Sequence, residues 1–150
     1  MNRLRYMLAA GALAGPGAAL ALACAARQEG KRPWQPLNGT SHWARGPGAG
    51  RRRDLDLRHT GLGAVTHHAA GLFWGMIYGA WLGRRDRPGN GRILGGAVTV
   101  AALAAVVDYG LVPRRLTPGW EHAVSPRGVA LGFAGMAAGL ALGAVLARPR

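Results

Sequence analysis

The chain has 150 residues, with 19 Lys+Arg against 6 Asp+Glu for a formal net charge of +13, and 49% of its residues are hydrophobic. A soluble basic domain fits those totals but not their order: the apolar residues fall in four blocks of about twenty, the length that crosses a bilayer core, with nearly all charges between the blocks. The same order argues against a nucleic-acid partner, which needs a folded basic face with base-reading or stacking groups.

The first block runs from about Tyr6 to Ala26, behind Arg3 and Arg5, with Gly15-Pro16-Gly17 at its middle. Proline there removes a backbone donor, so a kink is expected that neighbouring helices must accommodate. A secretory signal peptide is the rival reading, since the basic start, the apolar stretch and Ala21-Leu22-Ala23 resemble its three parts. The apolar run is roughly twice the usual length for one, which favours a retained helix. Residues 27–61 form a long connection rich in Pro, Gly, Trp and Arg, and the remaining blocks are 62–83, 93–112 and 126–147. Ser125 is placed to cap the fourth block and Pro126 suits a first helical position, while Pro113 ends the third. The expectation is an all-α integral membrane four-helix bundle in a single domain, residues 1–150, with a long loop between helices 1 and 2, antiparallel neighbours and both termini on one side. Lys and Arg number eleven on the side of the first and third connections and eight on the other. That count favours a cytoplasmic 27–61 connection, although Arg84, Arg85, Arg87 and Arg92, crowded into one short connection, point the other way.

Glycine falls at Gly63, Gly71, Gly75, Gly79 and Gly83 in the second block, a four-residue series with only His67 interrupting it. Such a row lets a second backbone approach closely enough for dispersion contacts to hold helices together in lipid. Gly128, Gly132, Gly135, Gly139 and Gly143 repeat the device in the fourth block, Gly11, Gly15, Ala19 and Ala23 in the first, and Ala97, Ala101, Ala104 and Ala105 in the third. Beside the second block's row, His67, Trp74, Tyr78 and Trp81 project within a narrow arc, read first as a packing and interface stripe.

Ionisable residues inside an apolar span are candidate functional groups. His67 and His68 flank the Gly71/Gly75 row, and Asp108 shares the face of Ala97, Ala101 and Ala104. At about 1.5 Å per residue, antiparallel packing puts His67 and Asp108 at a similar depth of about 7 Å, so an Asp–His contact is expected. His122 lies in the connection at the same side, with His42, His59 and Glu121. The group His67, His68, Asp108 and His122 suits a metal, a proton relay or a pH response. It equally suits a hydrogen bond that only holds the bundle in register. No histidine pair at helical metal-ligand spacing supports a particular metal, and no cofactor is implied. Ser41, His42 and Asp54 or Asp56 supply hydrolase residue types without a nucleophile motif. Cys24 is the only cysteine, so no intramolecular disulfide can form.

Three stretches, PLNGTSHWARG (36–46), RHTGLGAVTHHAAGLFW (58–74) and VDYGLVPRRLTPGWEHAVSP (107–126), together resemble small four-span bacterial inner-membrane proteins to which no activity is assigned. The resemblance implies a topology and an inner-membrane location, and no reaction. The function expected is therefore a structural or accessory membrane component, not an enzyme, with a small transporter, channel or sensor as the alternative. Its partners would be the bilayer, anionic lipid headgroups and, through the glycine rows, a second copy or a larger membrane complex.

Overall fold

A computed structural model describes residues 2–85 and 87–149. The described residues form six α-helices and no strands: α1 (Asn2–Gln28), α2 (Gln35–Thr40), α3 (His42–Arg45), α4 (Leu62–Leu82), α5 (Asn90–Val106) and α6 (Pro126–Leu146). A wide π-type turn, Val107–Leu111, prolongs α5. Three helical spans are long and apolar enough to cross a membrane: Arg3–Gln28, Asn90–Leu111 and Pro126–Leu146. The 62–83 block is helical but falls short of that standard. Thr66, His67, His68 and four glycines dilute its apolar residues.

α1 is the centre of the bundle and runs as continuous helix through Pro16. Its glycines and alanines make two narrow faces. On one, α4 lies antiparallel: a Cβ added to Gly71 would meet the backbone of Gly15 at 2.6 Å, and Cβ atoms at Gly75, Gly79 and Gly83 would overlap the backbone of Gly11, Met7 and Arg3. Each four-residue step on α4 is matched by a four-residue step on α1. On the other face α6 repeats the pattern, Gly135 against Gly17, Gly139 against Leu13 and Gly143 against Ala9 and Ala10. Gly132 meets side chains instead, those of Leu22 and Trp120. The expected Gly rows are therefore contact rows, and both glycines beside Pro16 serve them.

α5 packs on α6 and meets α4 at the end near the 83–89 connection, where Tyr78 Oη donates to Ile93 O at 2.9 Å and Gly96 sits under the Trp81 ring. Trp81 in turn carries the Arg92 guanidinium 4.1 Å from its ring centre.

The connection expected as a loop, 27–61, is instead a folded cap. Gln35, Pro36, Asn38, Gly39, Thr40, Ser41 and His42 are buried in it. Gly39 and Gly119 explain its closeness to the third connection: the backbones touch, and Gly119 has φ +77°, a conformation that disfavours a side chain. Glu29 ties the cap end of α1 to the start of α6, accepting from the Ser125 backbone N–H and from Ser125 Oγ at 2.6 Å, and from Lys31 Nζ at 2.9 Å. Burial pushes the Glu29 carboxyl upward, but the Ser125 and Lys31 hydrogen bonds outweigh it and hold the group below its ordinary 4.5. A lowered carboxyl stabilises the folded chain above that ordinary value and loses the contribution as pH falls through the folded one. Melting curves from about pH 6 to pH 3 should therefore show wild type converging on Glu29→Gln, which has no such charge to lose. A constant gap between them across that range would refute the tie.

Candidate functional site

Beneath the cap lies a cavity of about 230 Å³. Its walls are small on one side, Ala14, Gly15 and Ala18 of α1 with Ala70 and Gly71 of α4, and aromatic on the other, Trp74 of α4 and Phe133 of α6 beside Met136. Thr66 and His67 of α4 and Asp108 of the π turn reach it from the sides. Thr40 and Trp43 of the cap, with Leu116, Thr117, Pro118 and Trp120 of the third connection, roof it. The space follows from the packing rule: residues small enough to bring α1 against α4 are too short to fill the gap beside their contact. An apolar cavity of about 150 Å³ already holds benzene, so this one has room for a compact organic molecule.

The polar groups lining it are mostly engaged. Thr40 Oγ1 donates to Pro36 O at 3.2 Å and Thr66 Oγ1 to Leu62 O at 2.9 Å. Trp43 Nε1 reaches across from α3 to Thr66 Oγ1 at 3.3 Å, laying its indole over the opening. Thr117 Oγ1 donates to Glu121 Oε1 at 2.6 Å, and Tyr109 Oη holds the other Glu121 oxygen at 2.8 Å. His67 is buried against the Trp120 ring, 5.7 Å between centroids, and its Nε2 donates to Gly15 O at 2.8 Å. A carbonyl only accepts, so this bond puts the proton of the neutral ring on Nε2 and leaves Nδ1 a lone pair. Asp108 is half-buried and makes no hydrogen bond or ion pair with any described residue.

The four residues picked from sequence thus divide. His67 and Asp108 share the cavity, but no direct contact joins them: His67 turns to the α1 backbone, because Gly15 brings a carbonyl within its reach. His68 is exposed, its Nδ1 3.2 Å from where a Cβ on Gly15 would stand. His122 lies in the third connection and packs against the cap, its ring 5.0 Å from that of His42. His42 is not a water-facing loop histidine. It is 6% exposed and both its nitrogens face carbonyl oxygens, Gly39 O and Arg114 O, at 3.1 Å each. His59 is held by Asp56, which accepts from His59 N at 2.7 Å and from Nδ1 at 3.1 Å. The backbone N–H of His59 is the main reason the Asp56 carboxyl lies below its ordinary 3.8. Among the described residues no group of three His, Cys, Asp or Glu side chains is arranged to hold a metal ion.

Sequence reasoning missed the roof and most of the aromatic wall. Trp43 and Trp120 fall in connections, where nothing in the sequence marks them as cavity residues; the fold of the cap brings both to the cavity, Trp120 buried and Trp43 partly exposed. Phe133 and Met136 carry no polar signal and look like any apolar pair in α6. No protein-family model, curated protein or solved structure matches this chain.

Proposed function

We propose that this is a four-span integral protein of a bacterial inner membrane that binds a small ligand in the capped cavity, which puts it in the transporter, channel or sensor class rather than among enzymes or purely structural components. The spanning role of α4 rests on which way its residues face. His67, Trp74 and Tyr78 point inward, whereas Val65, Phe73, Met76 and Ile77 are 70%, 52%, 43% and 39% exposed, an outer face suited to lipid. Retention of α1 rests on its place between α4 and α6, each of which would lose its glycine-row partner without it. A cluster of Arg84, Arg85, Arg87 and Arg92 at the opposite end suits anionic headgroups.

The observation that carries the ligand reading is Asp108: a carboxylate facing a cavity with no hydrogen-bond or ion-pair partner among the described residues is costly to keep in a dry, purely structural core. In a Cys24→Ser background, cysteines at positions 48 and 89 should react with an impermeant thiol reagent from opposite sides of a sealed vesicle. Labelling from one side would mean that α4 does not cross. For binding, wild-type protein purified in mild detergent should release a small molecule detected by mass spectrometry, and Ala70→Trp, which fills the cavity from its edge, should not. An organic extract of the source membrane should raise the melting temperature of wild type alone, by mass action. No released molecule and no shift would return the protein to the structural class.

A further inference from the structure

We infer that the cavity takes a compact organic ammonium ion, an amine cation carried on an apolar body, whether free or as the headgroup of an ethanolamine lipid. This rests on the cavity being a ligand site at all, and adds the ligand's charge and shape. The first support is the balance of donors and acceptors. Thr40, Thr66 and Thr117 direct their hydroxyl protons to Pro36 O, Leu62 O and Glu121, and His67 Nε2 donates to Gly15 O. Three groups of the lining remain uncommitted: the Asp108 carboxylate, His67 Nδ1 and the Trp120 indole N–H. Two are acceptors, one of them an anion, and the third is a neutral donor. The lining therefore offers a carboxylate or phosphate a single uncharged donor beside an anion, and it offers an N–H cation a charge and a lone pair.

The second support is the wall. Trp43, Trp74, Trp120 and Phe133 line the cavity, and aromatic faces carry the negative end of the ring quadrupole, which attracts ammonium groups most strongly where water is displaced. The third is the absence of an internal competitor. No Lys or Arg lines the cavity, although eleven of the chain's 19 basic residues lie in or beside the connections at that end. Arg115, beside the roof, turns its Nε to Trp43 O at 3.1 Å. The volume sets the size of the body: about 230 Å³ admits a cage hydrocarbon or a single ring but not an extended chain.

Adamantan-1-amine, adamantan-1-ol and adamantane-1-carboxylate share one apolar body and differ in the group attached. In nanodiscs of phosphatidylglycerol alone, calorimetry should find the amine binding wild type about tenfold or more tighter than the alcohol, as a charge-assisted bond implies, and the carboxylate weakest. In Asp108→Asn that preference should fall to about unity, with the alcohol's affinity retained and the ligand-free melting temperature unchanged or slightly raised, since among the described residues Asp108 has no hydrogen-bond or ion-pair partner to lose and an uncompensated charge is removed. Trp43→Leu, which keeps Asp108, should weaken the amine more than the alcohol. Adding phosphatidylethanolamine to the discs separates the sources: loss of amine affinity by competition identifies the lipid headgroup, and unchanged affinity identifies a free amine. Equal binding of amine and alcohol to wild type, or a preference that survives Asp108→Asn, would overturn the ammonium assignment while leaving a ligand cavity. No binding of any of the three would overturn both.

Discussion

Gly75→Ala should lower the melting temperature of the detergent-solubilised protein by on the order of 10 °C, whereas Gly95→Ala should leave it unchanged or raise it slightly. Both substitutions add one methyl group to a helix, and both remove glycine's entropic penalty, worth about 0.5–1 kcal/mol in favour of alanine. They differ in what the methyl meets. At Gly75 it would overlap the backbone of Gly11 and come within 2.9 Å of the Ala10 carbonyl carbon; at Gly95 nothing lies within 4 Å. A flexible side-chain tip could yield to such a clash, but a helix backbone moves only as a unit, so α4 must separate from α1 along much of its length. Overpacking typically costs about 1–3 kcal/mol, and here the lost dispersion contacts of a whole row put the cost at the upper end. Gly139→Ala should behave like Gly75→Ala on the α6 side, because its Cβ would overlap Leu13 O. Equal melting temperatures for the 75 and 95 variants would show that the rows do not hold the helices together.

The contrast marks how far the sequence reveals the structure. A four-residue glycine period is a property of one helix, visible without knowing its neighbour, so the contact faces of α4 and α6 can be read directly from Gly71, Gly75, Gly79, Gly135 and Gly139. The register opposite them is not visible, since α1 offers Ala, Gly, Leu and Met at its contact points. Block length likewise reveals four long helices but not the lower mean hydropathy of α4, where His67 faces inward, Thr66 is half-buried and His68 is exposed beside an outer face that carries Val65, Phe73, Met76 and Ile77. The cap is hidden for another reason. Its helices α2 and α3 have six and four residues, too short for any periodicity to show, and it is held by side-chain hydrogen bonds between groups up to 22 residues apart within the connection. Half of the candidate site follows from these limits. His67 and Asp108 stand out as ionisable residues in apolar blocks, and depth alone brings them to one level, but the Gly15 carbonyl that captures His67 and the tryptophans over the cavity depend on tertiary contacts.

Asn38→Asp should open the cap more than Asn38→Ala does, although aspartate is the closer match in shape. Asn38 is fully buried. Its Nδ2 donates to Arg52 O and Asp54 O, each at 3.0 Å, and its Oδ1 accepts from Thr60 Oγ1, so one amide joins α2, the strand-like 52–56 segment and the turn that starts α4. Alanine leaves two carbonyls and a hydroxyl without their partner, each costing about 1–3 kcal/mol unless water replaces it. Aspartate also loses both donors and adds an anion facing two carbonyl oxygens, which is worse than an empty space. The readout is trypsin. Arg51, Arg52 and Arg53 are exposed side chains on a backbone that the Asn38 amide pins, and cleavage there requires local opening. A loss of about 3 kcal/mol raises the open population, and with it the cleavage rate, by about two orders of magnitude. Lowering the pH should slow cleavage of the Asn38→Asp variant specifically, because a protonated carboxyl regains one donor, and Asn38→Ala has nothing to regain. The same opening lifts Trp43 and Thr40 from the cavity roof, so the aspartate variant should lose ligand-induced stabilisation in step with its gain in cleavage. Cleavage at wild-type rates in both variants would mean that the cap is held by the Gly39–Gly119 and Glu29–Ser125 contacts alone.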